Sequence, residues 1–306
     1  MGKTPLIIDC DPGIDDALAI AIASYSPEVD VKLITTVAGN VAIEHTTQNA
    51  LRLVTFFEKR IPVAEGAPEP LQKALEDASN VHGVTGMEGF DFPDPNQSLL
   101  LNEGAVEALY KTLSDSNEPI TLMCIGPLTN IALLFKIHPE VKPCIKEIIM
   151  MGGSLTRGNK GVMAEFNIYV DPDAAKIVFG AGVPLTVLPL DVGLKALVMP
   201  EDSEKLLCMG RVGVMAHDLF KKYRGGSFNT GLKMYDPTAV AALLEPSLFT
   251  FVETFGDVET TGELTNGCTV FDLKGYLGKP ANLRVATDVD SDGFRKWFLD
   301  GMSRCI

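Results

Sequence analysis

Short continuous apolar runs alternate along this chain with stretches whose hydrophobic positions recur at helical spacing, the pattern of buried parallel strands joined by crossover helices. Runs at 6–8, 31–37, 62–64, 119–125, 148–151 and 185–190 predict strands. Ile14, Ala17, Leu18, Ala21 and Ile22 mark one helix face directly after the first strand. Further helices are expected over about 43–57, 105–113 and 131–137 and from about Asp171. From about Pro200 to Leu244 the pattern is mainly helical, broken at Arg224-Gly225-Gly226-Ser227, and predicts a helical cap over the carboxyl edge of the sheet. Strands near 250–260, 268–273 and 282–286 and a helix over about 292–302 close the chain. The expected class is α/β: a mostly parallel, Rossmann-like central sheet flanked by helices. With 306 residues and 46% hydrophobic positions, the chain suffices for one large domain or two modest ones.

The first run leads into Asp9-Cys10-Asp11-Pro12-Gly13-Ile14-Asp15-Asp16. Pro12-Gly13 breaks the extended chain, Asp9 and Asp11 share a strand face, and Asp15 and Asp16 fall in the first turn of the next helix. Four carboxylates are therefore expected to converge near the end of a buried strand. Complementing the helix dipole accounts for two of them, not four. Several anions buried without compensation bind a cation or take up protons. Carboxylate oxygens suit Ca²⁺ or Mg²⁺, and no His or Cys is spaced for zinc.

Other turns reach the same carboxyl edge, where open α/β sheets bind ligands. Asn40 ends the second strand and reads equally as a ligand contact or a helix cap. Residues 66–102 lack a period and are too long for an ordinary connection. Their centre, from Asn80 through His82 to Gly89, reads as substrate-facing, although a lone His there suits a structural role as well. Backbone carbonyls of the turn that follows Ile125 suit a hard cation whatever the side chain. Glu165 and Asn167 flank Phe166 and, if extended, share a face; a carboxylate beside a carboxamide is a directional grip on sugar hydroxyls. The competing reading is a solvent-exposed turn. Asp236, before Pro237, reads alone as an N-cap.

A formal net charge of -14 without any Lys/Arg cluster argues against a nucleic-acid polymer or an anionic membrane surface as partner, but leaves individual nucleosides open. The chain enters its first strand without an apolar signal segment, and Leu6 spoils a myristoylation pattern, so a cytoplasmic protein is expected. Cys10, Cys124, Cys144, Cys208, Cys268 and Cys305 are scattered, as reduced thiols are.

The stretch from Asp9 to Asp16 resembles the N-terminal aspartate signature of the nucleoside hydrolases, the inosine-uridine preferring family. Thr36-Val37-Ala38-Gly39-Asn40, Val81-His82-Gly83, Gly126-Pro127-Leu128-Thr129-Asn130, Met151-Gly152-Gly153, Ala164-Glu165-Phe166-Asn167 and Gly278-Lys279-Pro280 resemble further motifs of that family in the same order. The likeness is greatest to the bacterial broad-specificity ribonucleoside hydrolases. It implies a single α/β domain over residues 1–306 and, for such enzymes, a homodimer or homotetramer in purine and pyrimidine salvage. It further implies Ca²⁺ held by Asp11, Asp16, the main-chain carbonyl of Ile125 and Asp236. Ribose would be held by Asp15, Asn40, Glu165 and Asn167, with Met151, Asn159, Phe166 and His82 as further substrate contacts. Asp11 would be the general base for the attacking water. One position departs from the family: where inosine-uridine members carry the His that protonates the leaving base, this chain has Tyr235. A phenol of pKa about 10 suits that task less than an imidazole of about 6.5.

Two other readings stay open. An aspartate-nucleophile phosphatase also places Asp-x-Asp after a first strand, but Gly13 stands where it carries Thr or Val, and four acids repel phosphate. A nucleoside-binding or sensing protein with weakened catalysis would bind without forming product.

Overall fold

The computed structural model describes residues 2–227 and 230–306, and of Asn80, His82 and Ser227 the backbone alone. Eight of its strands form one sheet: β1 (Thr4–Cys10), β2 (Val29–Thr36), β3 (Val63–Ala64), β4 (Ile120–Cys124), β5 (Ile145–Met151) and β6 (Leu185–Leu188), with β10 (Phe249–Thr254) and β13 (Leu283–Val289) at one side. The order is β10-β13-β6-β5-β4-β1-β2-β3, parallel throughout except for β10 against β13. β7 (Leu197–Val198), β8 (Gly226–Ser227) and β9 (Gly231–Lys233) make a small antiparallel sheet, and β11 (Gly256–Val258) pairs with β12 (Thr269–Phe271).

Strand residues alternate between two hydrophobic layers, as the period of two requires. Leu6, Ile8 and Cys10 of β1, Ile34 of β2 and Ile149 and Met151 of β5 enter one core. Ile7, Leu33, Ile148 and Met150 enter the other. Helices Ile14–Tyr25, Ile43–Phe56, Gly210–Phe220, Pro237–Leu244 and Ser291–Ser303 cover the first face, and Ala105–Ser114, Thr129–Ile137 and Pro172–Phe179 the second. Covering both faces explains why the strands read as continuous apolar runs rather than alternating ones.

The chain winds outward from β1 through β2 to β3, then returns to β4 on the other side of β1 and winds outward again. Helices leave the carboxyl ends of β1 and β4 in opposite directions, which opens a crevice between them. Register brings the strand ends level: Asp9 pairs with Cys124 and Cys10 with Thr36, so Asp11, Ile125 and Val37 emerge at one edge. Among the described residues no helix is long and apolar enough to cross a membrane, and all six cysteines are free.

Four sequence expectations change here. The stretch before Leu244 interleaves the small sheet β7-β9-β8 with its helices, because strands of two or three residues are too short to carry a period. The run over 250–260 divides at Phe255 into β10 and β11, and β6 ends at Leu188 before a short helix, Leu190–Gly193. Glu165 and Asn167 do not share an extended stretch: Asn167 lies in the helix Phe166–Val170, and Glu165, itself extended, is its N-cap, accepting from Asn167 N and Ile168 N. The expected strand face they share does not exist.

Candidate active site

Asp11 leaves β1 beside two glycines that make room for it. A Cβ on Gly126 would stand 2.7 Å from Asp11 Oδ1, and one on Gly39 would meet the other side of the same carboxylate. Asp11 Oδ2 accepts the Asn40 backbone N–H at 2.7 Å, and Asn40 Nδ2 donates to the Asp11 carbonyl at 3.0 Å and to Asp16 Oδ2 at 3.3 Å. Asn40 thus ties the turn after β2 to two acids of the turn after β1, and its side chain caps no helix.

The capping reading holds for half of Asp16. Its Oδ2 accepts the Gly13 N–H at 2.9 Å, while its Oδ1 is buried without a hydrogen-bond partner, as is Asp11 Oδ1. Asp236 occupies the N-cap position of Pro237–Leu244 but accepts none of that helix's N–H groups through its side chain. Its carboxylate turns instead to the acids: Asp15, Asp16 and Asp236 each offer an oxygen within 4.8 Å of the others. Burial raises all four carboxyls, to about 7 for Asp15 and about 6 for Asp16 and well above the usual range for Asp11 and Asp236. Neighbouring carboxylates reinforce the shift for Asp11, Asp15 and Asp236. Two orphaned carboxylate oxygens among close anions fit a hard divalent cation, whose charge would relieve both the desolvation and the repulsion. The Ile125 carbonyl lies beside this cluster's cavity and already accepts Asn167 Nδ2 at 3.2 Å, leaving its second lone pair.

Asp9 is not part of the cluster. Its Oδ1 accepts Thr35 Oγ1 at 2.5 Å and Asn130 Nδ2 at 2.8 Å, which pins β1 to β2 and to the helix after β4. The four acids of the first stretch therefore contribute three, and Asp236 is the fourth.

Over the acids lies a cavity of ≈ 280 Å³. Asp15, Asn40, Ile125, Met151, Asn159, Glu165, Phe166, Asn167, Tyr235 and Asp236, each singled out in the sequence, all line it. Asp11 and Asp16 lie beneath, joined to it through Asn40. The His82 side chain falls outside the described residues, although Asp77, Ala78 and Val81 of the same segment line the cavity. Glu165 accepts the Gly153 N–H at 2.9 Å besides those of its own helix, and burial lifts it to about 7. Asn167 Nδ2 also donates to the Met151 carbonyl at 3.2 Å, and Asn159 Oδ1 accepts the Phe166 N–H at 2.9 Å.

Tyr235 lines the wall with its ring against Gly193, where a Cβ would collide with the ring. Burial, then the charges of Asp15 and Glu165, raise its phenol further above the ordinary value. Lys160, Tyr223, Arg224 and Lys233 line the cavity as well, and no motif in the sequence points to them. Isolated cations in amphipathic or Gly-rich stretches carry no periodic signal; only the break at Arg224-Gly225 marked the place.

A family model described as inosine-uridine preferring nucleoside hydrolase matches residues 6–296. The chain is 50% identical over 295 residues, 96% of each chain, to the non-specific ribonucleoside hydrolase RihC of Salmonella enteritidis. It is 49% identical over 298 residues to RihC of Escherichia coli, covering 97% of this chain and 98% of that one. The purine-preferring ribonucleoside hydrolase of Gardnerella vaginalis superposes with a TM-score of 0.92 at 30% identity, over 99% of both chains.

Proposed function

This chain belongs to the inosine-uridine preferring nucleoside hydrolase family, and we propose that it hydrolyses the N-glycosidic bond of ribonucleosides to ribose and free base. The observation that carries this reading is the convergence of Asp15, Asn40, Glu165, Asn167 and Asp236, from separate turns of the chain, on one cavity whose Asn40 also bonds Asp11 and Asp16, each with an orphaned carboxylate oxygen. Relatives named as non-specific ribonucleoside hydrolases favour a broad choice of base.

Asp11, Asp16, the Ile125 carbonyl and Asp236 would hold Ca²⁺, which when bound acts as a Lewis acid that acidifies the attacking water. Asp15, Asn40, Glu165 and Asn167 hold the ribose hydroxyls, with Met151, Asn159, Phe166 and the segment of His82 around them. Asp11 takes the proton of the attacking water. As the bond from the anomeric carbon to the base nitrogen breaks, its electron pair leaves with the base, which takes a proton from solvent, and positive charge builds on the ribosyl ring. Carboxylates and carboxamides around the ring stabilise that charge. Water arrives opposite the departing base, so the anomeric configuration inverts. Tyr235, whose phenol is held protonated, stacks on the base or hydrogen-bonds to it rather than donating a proton as an imidazolium would. A cytoplasmic homo-oligomer acting in nucleoside salvage completes the proposal.

The test is reducing-sugar release from inosine, uridine, cytidine, adenosine and xanthosine, with Ca²⁺ and after chelation. Chelator-sensitive release supports the hydrolase. Saturable nucleoside binding without product from any of the five overturns it in favour of a sensing role.

A further inference from the structure

We infer that Glu76 and Tyr169 are positioning residues that clasp the two sides of the cavity mouth, an inference that rests on the hydrolase reading above. Tyr169 sits in the helix Phe166–Val170, and its hydroxyl donates to Glu76 Oε1 at 2.9 Å. Lys160 Nζ lies 3.7 Å from Glu76 Oε2, the other oxygen of that carboxylate, and 5.6 Å from the centre of the Tyr169 ring. Lys73 Nζ completes the group: it stands 3.6 Å from Glu76 Oε1, donates to the Tyr169 carbonyl at 3.0 Å and lies 3.6 Å over the Tyr169 ring.

The placement gives this group a use beyond surface pairing. Glu76 immediately precedes Asp77 and Ala78, which line the cavity, and Lys160 immediately follows Asn159, which lines it too. A single carboxylate therefore joins the segment at 71–78 to the loop that carries Asn159. Ala78 N–H donates to the Asn40 carbonyl at 3.0 Å, so the segment held by the clasp is also the one that backs Asn40, the residue gripping Asp11. Neither Glu76 nor Tyr169 lines the cavity or enters the core. The Tyr169 hydrogen bond, then the two lysines, hold the Glu76 carboxyl below its ordinary range, as a carboxylate engaged from several sides should be. Losing the clasp loosens the rim and weakens substrate binding, while the reacting groups beneath keep their geometry.

The experiment compares full-length wild type, Glu76→Ala and Tyr169→Phe by steady-state ribonucleoside hydrolysis at saturating Ca²⁺ and by amide hydrogen exchange. The expected result is a KM raised about two- to fivefold, the range that exposed pairs produce, with kcat and melting temperature unchanged. Exchange over 71–78 should quicken, and Glu76→Ala should exceed Tyr169→Phe because it removes the lysine pairs as well. An unchanged KM, a kcat that falls in proportion, or wild-type exchange over 71–78 in both variants overturns the clasp. Absence of ribose release from the wild type would instead reject the hydrolase reading, and the exchange comparison would still decide the clasp.

Discussion

Asp11 Oδ1 lies 2.7 Å from where a Cβ of Gly126 would stand, so the carboxylate proposed as base occupies space that the turn after β4 leaves empty. Gly126→Ala is therefore expected to push the carboxylate off the cavity floor. Overpacking of this kind costs about 1–3 kcal/mol of stability. The larger effect falls on turnover, because Asp11 must reach the attacking water. Asp11→Ala should lower kcat by about 10²–10⁴, the usual contribution of a general base. Ribose release by the purified variants checks both, and unchanged turnover in Asp11→Ala would sink the assignment.

Cation binding should be visible in stability. Asp11 Oδ1 and Asp16 Oδ1 lack partners, and an ion that binds the folded state alone stabilises it by about 2.7 kcal/mol at a hundredfold excess over its Kd. Thermal melting in excess Ca²⁺ should rise well above melting in chelator, and Asp16→Asn should shrink the difference. Identical melting in both conditions would exclude the site.

Without metal, stability should fall as pH rises. Burial lifts Glu165 from 4.5 to about 7, and the folded state therefore favours its protonated form. That preference contributes fully below the unfolded pKa of about 4.3 and is lost as pH rises through 7, a change of roughly 3 kcal/mol for this group. Asp15 at about 7 and Asp16 at about 6 act in the same direction. Denaturant melts in chelator between pH 4.5 and 7.5 should show the decline, and Glu165→Gln should flatten it. A slope equal to wild type in that variant would refute the assignment to Glu165.

In the proposed mechanism the leaving-group chemistry depends on Tyr235. With its phenol raised by burial and by Asp15 and Glu165, it is no acid at neutral pH. Tyr235→His should raise kcat for purine nucleosides and add an alkaline limb to the pH-rate profile, a fall as pH rises through the imidazole pKa of about 6.5. Tyr235→Phe should cost far less than Asp11→Ala, since the ring remains against Gly193. A fall in purine turnover with histidine in place would reject this account.

Much of this protein is legible in the linear chain. Strands buried on both faces leave continuous apolar runs, and the helices between them leave their own spacing, so class and order follow from period alone. The acids after β1 stand out because no soluble core explains so many carboxylates beside such a run. Ordered motifs then carried the residues that line the cavity. Tertiary structure decided what each acid does. Asp9 and Asp11 are two residues apart, yet Thr35 and Asn130 claim the first while Gly39 and Gly126 open space for the second. Asp236 reads as a cap and does not cap, because its carboxylate meets Asp15 and Asp16 across more than two hundred residues of chain. The contacts of Gly193, Lys160 and Glu76 were invisible for the same reason. Period and local spacing record which face a residue presents, whereas contact between distant turns exists only once the sheet brings their ends to one edge.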